Sequence, residues 1–284
     1  MAAWEELEDS CYRYLKDKYP KAISIEAFGK SDSTKADIKI ETIQNGTFYV
    51  EVKADSAQCC QFVLFPNNKT KSFDFSNGNK APQTNNCNTI ISHMEKSYTR
   101  YAKVGKAGIP VEVDKKTLYG LVSDFYFPKG VKFFVTKSEN YIIFPIDKFS
   151  NYFDITAFYR RKPSGSSEPN ENNNTKEINE GLIREQLEGS IEYRDIVNKT
   201  RCFFHTSVNV HAKRMVCSEY TYQFKDNQYS KRVSKMGKYV FEVRRLSNTS
   251  NPNVICQLSL KNKTQDIADL ITFENNINCL KEEK

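Results

Sequence analysis

Lys35-Ala36-Asp37-Ile38-Lys39-Ile40-Glu41, then Gln44-Asn45-Gly46, then Phe48-Tyr49-Val50-Glu51-Val52-Lys53-Ala54, is the stretch on which the fold turns. Ile38 and Ile40 alternate with polar residues, as do Val50 and Val52, so both segments read as half-buried strands joined by a turn. Placing the apolar residues on one face sets Ile40 beside Val50 and Ile38 beside Val52. Asp37 then falls beside Lys53, and Lys39 beside Glu51. This register needs a three-residue loop, Gln44 to Gly46, with Gly46 left-handed. A two-residue Asn-Gly turn would send Asp37 to the face opposite Glu51. The apolar pattern therefore predicts that Asp37, Glu51 and Lys53 project from one face, with the two carboxylates as diagonal neighbours.

Two carboxylates and an ammonium gathered together suit a divalent cation. Carboxylate oxygens are the hard donors that Mg²⁺ takes, and Mg²⁺ keeps water in its remaining positions. Such an ion polarises a phosphodiester and acidifies a bound water. A lysine beside it orients that water or stabilises charge developing on phosphorus. The Asp/Glu-x-Lys pattern by itself is weak, since Asp37-Lys39, Glu51-Lys53, Asp114-Lys116 and Glu282-Lys284 all satisfy it. Only Glu51-Lys53 ends a strand whose hairpin partner carries an acid on the matching face. The plain alternative is an exposed hairpin with a cross-strand ion pair.

Around the hairpin the pattern is that of an α/β layered domain. A first helix carries Trp4, Leu7, Cys11, Tyr14 and Leu15 on one stripe and ends at Pro20. Residues 22–28, 36–42 and 47–54 read as strands, 61–65 as a short apolar run of either type, and 89–104 as a helix. Residues 118–127, 131–136 and 141–145 read as further strands. The polar run from Pro163 to Asn174 reads as a linker or exposed loop. This gives a first domain over 1–163, a linker over 164–177 and a second domain over 178–284. The second domain opens with a helix over 178–187, continues with strands over 202–210, 220–224, 239–243 and 254–260, and closes with a helix over 264–273.

The hairpin, flanked by helices, resembles the PD-(D/E)XK nuclease superfamily, and type II restriction endonucleases in particular. The matching text is Asp37-Ile38 and Val50-Glu51-Val52-Lys53-Ala54; Ala36 stands where the family often has proline. The resemblance covers roughly the first 160 residues. It implies a mixed central sheet flanked by helices, with a smaller β-rich C-terminal domain. It also implies that Asp37 and Glu51 bind Mg²⁺ (Mn²⁺ as a substitute), with the Val52 carbonyl as a further ligand and Lys53 beside the attacking water. An acid on the first helix often lies near the metal in such enzymes, which points to Glu8. The bland reading of Glu5, Glu6 and Glu8 is an acidic first turn that suits the helix dipole. Gln58 and Gln61 follow the motif as candidate phosphate contacts or as ordinary polar positions.

The 284 residues carry a net charge of +7, with 39% apolar residues, enough for a core. Residues 199–245 hold eleven Lys and Arg against three Asp and Glu, with tyrosines interleaved. Such a block is either a solvated face or a surface for a polyanion. Lys231, Arg232, Lys235, Lys238, Arg244 and Arg245 are its candidate DNA contacts. Arg160, Arg161 and Lys162 are a second basic cluster, readable as a backbone clamp or a charged domain end. No apolar run approaches the roughly 20 residues of a membrane helix, and the first residues lack the apolar stretch of a secretory signal. No C-x-x-C pair occurs among the eight cysteines, which read as reduced, half-buried thiols.

The expectation is a Mg²⁺-dependent, sequence-specific endonuclease acting on double-stranded DNA in a bacterial or similar cytoplasm, working as a homodimer because two strands must be cut. A repair, junction-resolving or defence nuclease of the same core is one alternative. A non-catalytic nucleic-acid-binding protein with a structural ion cluster at Asp37, Glu51 and Lys53 is the other.

Overall fold

The computed structural model describes residues 3–20, 22, 24–29, 34–43, 45–163, 165–196, 199–210, 213–233 and 239–278. Two compact units result: Met1–Arg161 with Pro252–Lys284, and Lys162–Asn251.

The first unit runs through helix α1 (Ala3–Lys18) and strands β1 (Ser24–Ala27), β2 (Ile38–Thr42), β3 (Gly46–Val52), β4 (Ser56–Asn67) and β5 (Ser72–Phe75). Helices α2 (Asn85–Glu95) and α3 (Tyr98–Tyr101), strand β6 (Ile109–Pro110) and helix α4 (Lys115–Tyr126) follow. Strands β7 (Val131–Lys137) and β8 (Tyr141–Pro145), helix α5 (Phe149–Tyr152) and strand β9 (Phe153–Pro163) lead out of it. The second unit holds α6 (Glu171–Arg184), β10 (Ser190–Asp195), β11 (Thr200–Thr206), β12 (Arg214–Cys217), β13 (Tyr220–Lys225), α7 (Gln228–Val233) and β14 (Tyr239–Leu246). The chain then returns to the first unit through β15 (Ser250–Leu260) and α8 (Ile267–Asn278).

The central sheet has the order β1-β2-β3-β7-β8. It is mixed: β3 and β7 are parallel, and the other neighbours are antiparallel. One face carries Ile38, Ile40, Phe48, Val50, Val52, Phe133, Val135 and Ile143, covered by Cys11, Leu15 and Tyr19 of the N-terminal segment and by Phe273 and Ile277 of α8. The other face carries Phe134, Ile142 and Phe144, which pack with Ile90 and Met94 of α2, Leu118 and Leu121 of α4, and residues of β4, β9 and β15. Helices on both faces of a mixed sheet match the expected class. A second sheet of the first unit has the order β5-β4-β15-β9-β6. The second unit is an antiparallel sheet, β10-β11-β14-β13-β12, with Ile178 and Leu182 of α6 buried against one face.

The hairpin register differs from the expected one. Ile38 pairs with Val50, Ile40 with Phe48 and Thr42 with Gly46, a slip of two residues. An even slip leaves every side chain on its expected face. Phe48 decides it: the ring is 1% exposed and takes the place opposite Ile40, a position the alternation of Val50 and Val52 alone did not reach. Thr42 and Gly46 thus face each other across the turn, Gln44 of the expected loop lies outside the described residues, and Gly46 is left-handed as expected, at φ +62°.

Three further expectations are corrected. Residues 118–127 are not a strand but most of α4. Asp114 caps that helix by accepting the Thr117 N–H, and Leu118, Leu121, Val122 and Tyr126 recur at helical spacing on its buried face. Residues 164–177 are not wholly a linker, because α6 begins at Glu171 with Asn170 as its cap. Its polar surface hides a buried stripe of Asn174, Ile178, Gly181 and Leu182. Finally, the second domain does not run to the C-terminus. β15 pairs with β4, and Phe273 of α8 stands edge-on to Phe133 at 5.0 Å, so the last elements complete the first unit.

Cys11, Cys59, Cys60, Cys87, Cys202, Cys217 and Cys256 are free and buried, more deeply than expected, and Cys279 lies outside the described residues. No helix among the described residues is long and apolar enough to cross a membrane.

Candidate active site

Strand β3 carries Glu51 near its end and is followed by Lys53. Asp37 stands immediately before β2, one step beyond the Ile38–Val50 pair, and so lies opposite Glu51 rather than diagonal to it. Its backbone and side chain are both pinned: the carbonyl accepts the Phe28 N–H at 2.7 Å, and Oδ2 accepts the Val52 N–H at 2.8 Å. Lys53 Nζ donates to Glu51 Oε1 at 2.6 Å. The Lys53 N–H holds the Val135 carbonyl of β7 at 3.0 Å, so the parallel neighbour fixes the strand end.

Glu51 is 5% exposed, and its Oε2 is buried without a hydrogen-bond partner. An unmatched buried carboxylate oxygen is costly. A cation against Oε2 would remove that cost. Burial and the neighbouring Glu51 carboxylate push the Asp37 pKa up to about 6, against the pull of Lys53 and the Val52 N–H. For Lys53, burial works against the charge, but Glu51 and Asp37 outweigh it and raise its pKa. Glu8 of α1 is pushed up to about 8, first by burial and then by the Asp37 charge. The structure thus brings Glu8 into the electrostatic reach of the pair. Among the described residues no group of three or more His, Cys, Asp and Glu side chains is gathered to hold a metal. Asp37 and Glu51 are the carboxylates that stand together here, and their hard oxygens, one of them orphaned, would fit Mg²⁺.

Two groups at the site had no sequence signal. Tyr126, buried at the end of α4, has Lys53 Nζ at 5.2 Å from its ring centre and Lys129 Nζ at 4.9 Å. Tyr126 was hidden by reading residues 118–127 as a strand, and Lys129 lies just beyond that segment.

The remaining candidates divide. Gln58 and Gln61 are exposed on β4, just beyond the motif. Arg160, Arg161 and Lys162 lie in β9, not in a loose arm, and Arg161 Nε donates to the Val104 carbonyl at 3.3 Å. Lys231 and Arg232 are exposed on α7. Arg245 lies over the Tyr220 ring at 4.5 Å and donates to Ser167 Oγ at 3.4 Å. Lys235 and Lys238 lie outside the described residues. Arg244 leaves the set of DNA contacts: it is bound by Glu168 at 2.6 Å and by the fully buried Glu242 at 3.0 Å, which also holds Arg201 at 2.6 Å. Glu242 and Arg244, two apart on β14, share a face, and that spacing was the available signal. His205 Nε2 sits 2.8 Å from Glu192 across the β10–β11 pair, and His211 lies outside the described residues.

No protein-family model and no curated protein matches the chain. Among solved structures, HhaI endonuclease in complex with DNA is similar to it, with a TM-score of 0.79 and 31% identity over 96% of this chain and 98% of that one. Similarity of both sequence and structure over nearly the full length of each chain is what common descent leaves, and it spans both units as well as the hairpin. The chain belongs to the HhaI endonuclease family and is a DNA endonuclease of restriction-endonuclease-like fold.

Proposed function

We propose that this protein is a Mg²⁺-dependent, sequence-specific endonuclease that hydrolyses phosphodiester bonds of double-stranded DNA, a type II restriction enzyme whose catalytic residues are Asp37, Glu51 and Lys53. The observation that carries the reading is the orphaned Glu51 Oε2 beside Asp37 and Lys53, in a chain of this family. Asp37, Glu51 and the Val52 carbonyl would hold the ion, with Glu8 behind them. Bound there, Mg²⁺ supplies Lewis-acid polarisation of the phosphodiester and a water of lowered pKa. Lys53, fixed by Glu51, orients the attacking water and faces the charge that builds on phosphorus. Mn²⁺ would substitute, since it accepts the same oxygen donors.

The second unit supplies recognition in this reading. Lys231, Arg232 and Arg245 engage the backbone or base edges, and Gln58 and Gln61 the phosphates near the cut. The family member whose structure is similar was solved with DNA. Cutting both strands calls for two such sites, hence a homodimer on the DNA.

The test is digestion of one sequenced plasmid with Mg²⁺ and with EDTA. Discrete fragments with Mg²⁺ alone are expected, and end-mapping then gives the target and the stagger. Full cleavage by Glu51→Ala or Lys53→Ala protein would remove the site assignment, and a smear would remove the sequence specificity.

A further inference from the structure

The charges at the site do not balance for a phosphate. Asp37 and Glu51 against Lys53 leave one net negative charge, and Lys53 is already committed to Glu51 at 2.6 Å. Bound Mg²⁺ would offset that charge, but Lys53 would still be tied to Glu51, so a further ammonium close by would give the phosphate oxygens a partner of their own.

Lys129 is placed to be that cation. It ends the 3-10 turn Phe127–Lys129, which Gly130 caps by donating its N–H to the Phe127 carbonyl at 2.9 Å. Gly130 is left-handed at φ +74°, its carbonyl accepts the Tyr49 N–H of β3 at 3.2 Å, and an added Cβ would stand 2.9 Å from the Tyr49 ring. The position is therefore locked against the catalytic strand. From it the half-buried side chain crosses the Phe125 ring at 4.3 Å and the Tyr126 ring at 4.9 Å. The Tyr126 ring is the one that Lys53 also meets, at 5.2 Å. Burial lowers the Lys129 pKa and Lys53 adds to that, while Glu51 and Asp37 favour its charge. Aromatic walls hold an ammonium in place by cation–π attraction.

Resting on the nuclease reading, we infer that Lys129 is a second active-site cation that binds a non-bridging oxygen of the scissile phosphate, held by the Phe125–Tyr126 rings. Lys53 then serves the water while Lys129 serves the phosphate. With Lys129 counted, the four side chains sum to zero, so bound Mg²⁺ would leave the site positive toward the phosphate. A cation preorganised toward charge that grows in the transition state acts mainly on the rate and less on the affinity.

The experiment compares wild-type protein with K129M, K129R and E51Q. Its readouts are single-turnover cleavage of a mapped target with Mg²⁺, DNA affinity with Ca²⁺ in place of Mg²⁺, and melting temperature. The expected result for K129M is a loss of cleavage rate on the order of 10²-fold. DNA affinity should change by less than about tenfold, and the melting temperature should hold. K129R should recover part of the rate. Cleavage by K129M within about threefold of wild type would overturn the inference. So would a rate loss that tracks a fall in melting temperature. If wild type cleaves, E51Q does not and K129M does, the inference alone fails. If wild type leaves DNA intact with both Mg²⁺ and Mn²⁺, the nuclease reading fails with it.

Discussion

In the proposed reading Asp37 is where function and stability conflict, and Asp37→Asn measures the conflict. Burial and the Glu51 charge raise its pKa from 3.8 to about 6 in the metal-free protein. In the unfolded chain the group ionises near 4. Below pH 4 both states hold the proton and nothing is lost. Between pH 4 and 6 the unfolded state has released its proton while the folded state keeps it, so stability falls as pH rises. Above pH 6 the folded state holds an unwelcome charge, and the loss levels off. Two pKa units at ~1.4 kcal/mol each give about 3 kcal/mol. Asparagine carries no charge, and its Oδ1 can accept the Val52 N–H as Asp37 Oδ2 does. The substitution should therefore raise the melting temperature in EDTA at pH 8 by on the order of 10 °C for a unit of this size. The gain should shrink toward zero at pH 4. Adding Mg²⁺ should stabilise wild type more than the variant, because ligand binding to the native state adds stability. Cleavage should be lost. The assay is a thermal melt of both proteins at pH 4, 6 and 8, with EDTA and with Mg²⁺. A variant no more stable than wild type at pH 8, or a gain unchanged at pH 4, would refute the account of Asp37 as a strained ligand.

Glu51→Gln should abolish cleavage and the Mg²⁺-dependent rise in melting temperature together, since Oε2, buried without a hydrogen-bond partner, is the oxygen that would meet the ion; titration calorimetry with Mg²⁺ checks the second effect. Glu242→Gln should destabilise the second unit by about 3–5 kcal/mol in a urea titration, because it leaves the buried Arg201 and the half-buried Arg244 with Glu168 as their remaining acid. The double substitution of Lys231 and Arg232 by alanine should leave stability within about 0.5 kcal/mol. It should also lower the slope of log affinity for DNA against log salt by about two. Gly130→Ala should lower the melting temperature, as its φ of +74° and the Tyr49 ring both reject a side chain.

The hairpin was legible because period-two alternation fixes faces, and faces decide which side chains can meet. That Asp37, Glu51 and Lys53 share a face needed only an even register. Whether Asp37 stood beside Glu51 or beside Lys53 needed Phe48, whose inward position follows from packing against Phe133 at 5.6 Å and Phe273 at 6.3 Å. Those partners lie far along the chain, one of them in the last helix. The same distance in sequence hid the true domain boundary. β15 is an apolar strand like its predecessors, and nothing local tells it to pair with β4 rather than with the sheet of the second unit. Residues 118–127 failed for another reason: aromatic and β-branched residues suggested a strand, while the Asp114 cap and the spacing of Leu118, Leu121 and Val122 specified a helix.

Mistaking that helix for a strand concealed more than a secondary structure. A helix buries Tyr126 one turn after Val122 and sets the following turn so that Lys129 returns over the same ring. A strand over the same residues would alternate Phe125 and Tyr126 to opposite faces and scatter the two ammonium groups. The motif residues come from one hairpin and can be read there, because their relative positions are set within 17 residues of chain. The aromatic floor beneath them comes from a helix after three further strands, and its position depends on how that helix packs on the sheet. Acid–amine motifs are thus local and legible, whereas the surroundings that set their charge and aim are tertiary. In this protein that division separates Lys53, which the sequence announces, from Lys129, which only the fold reveals.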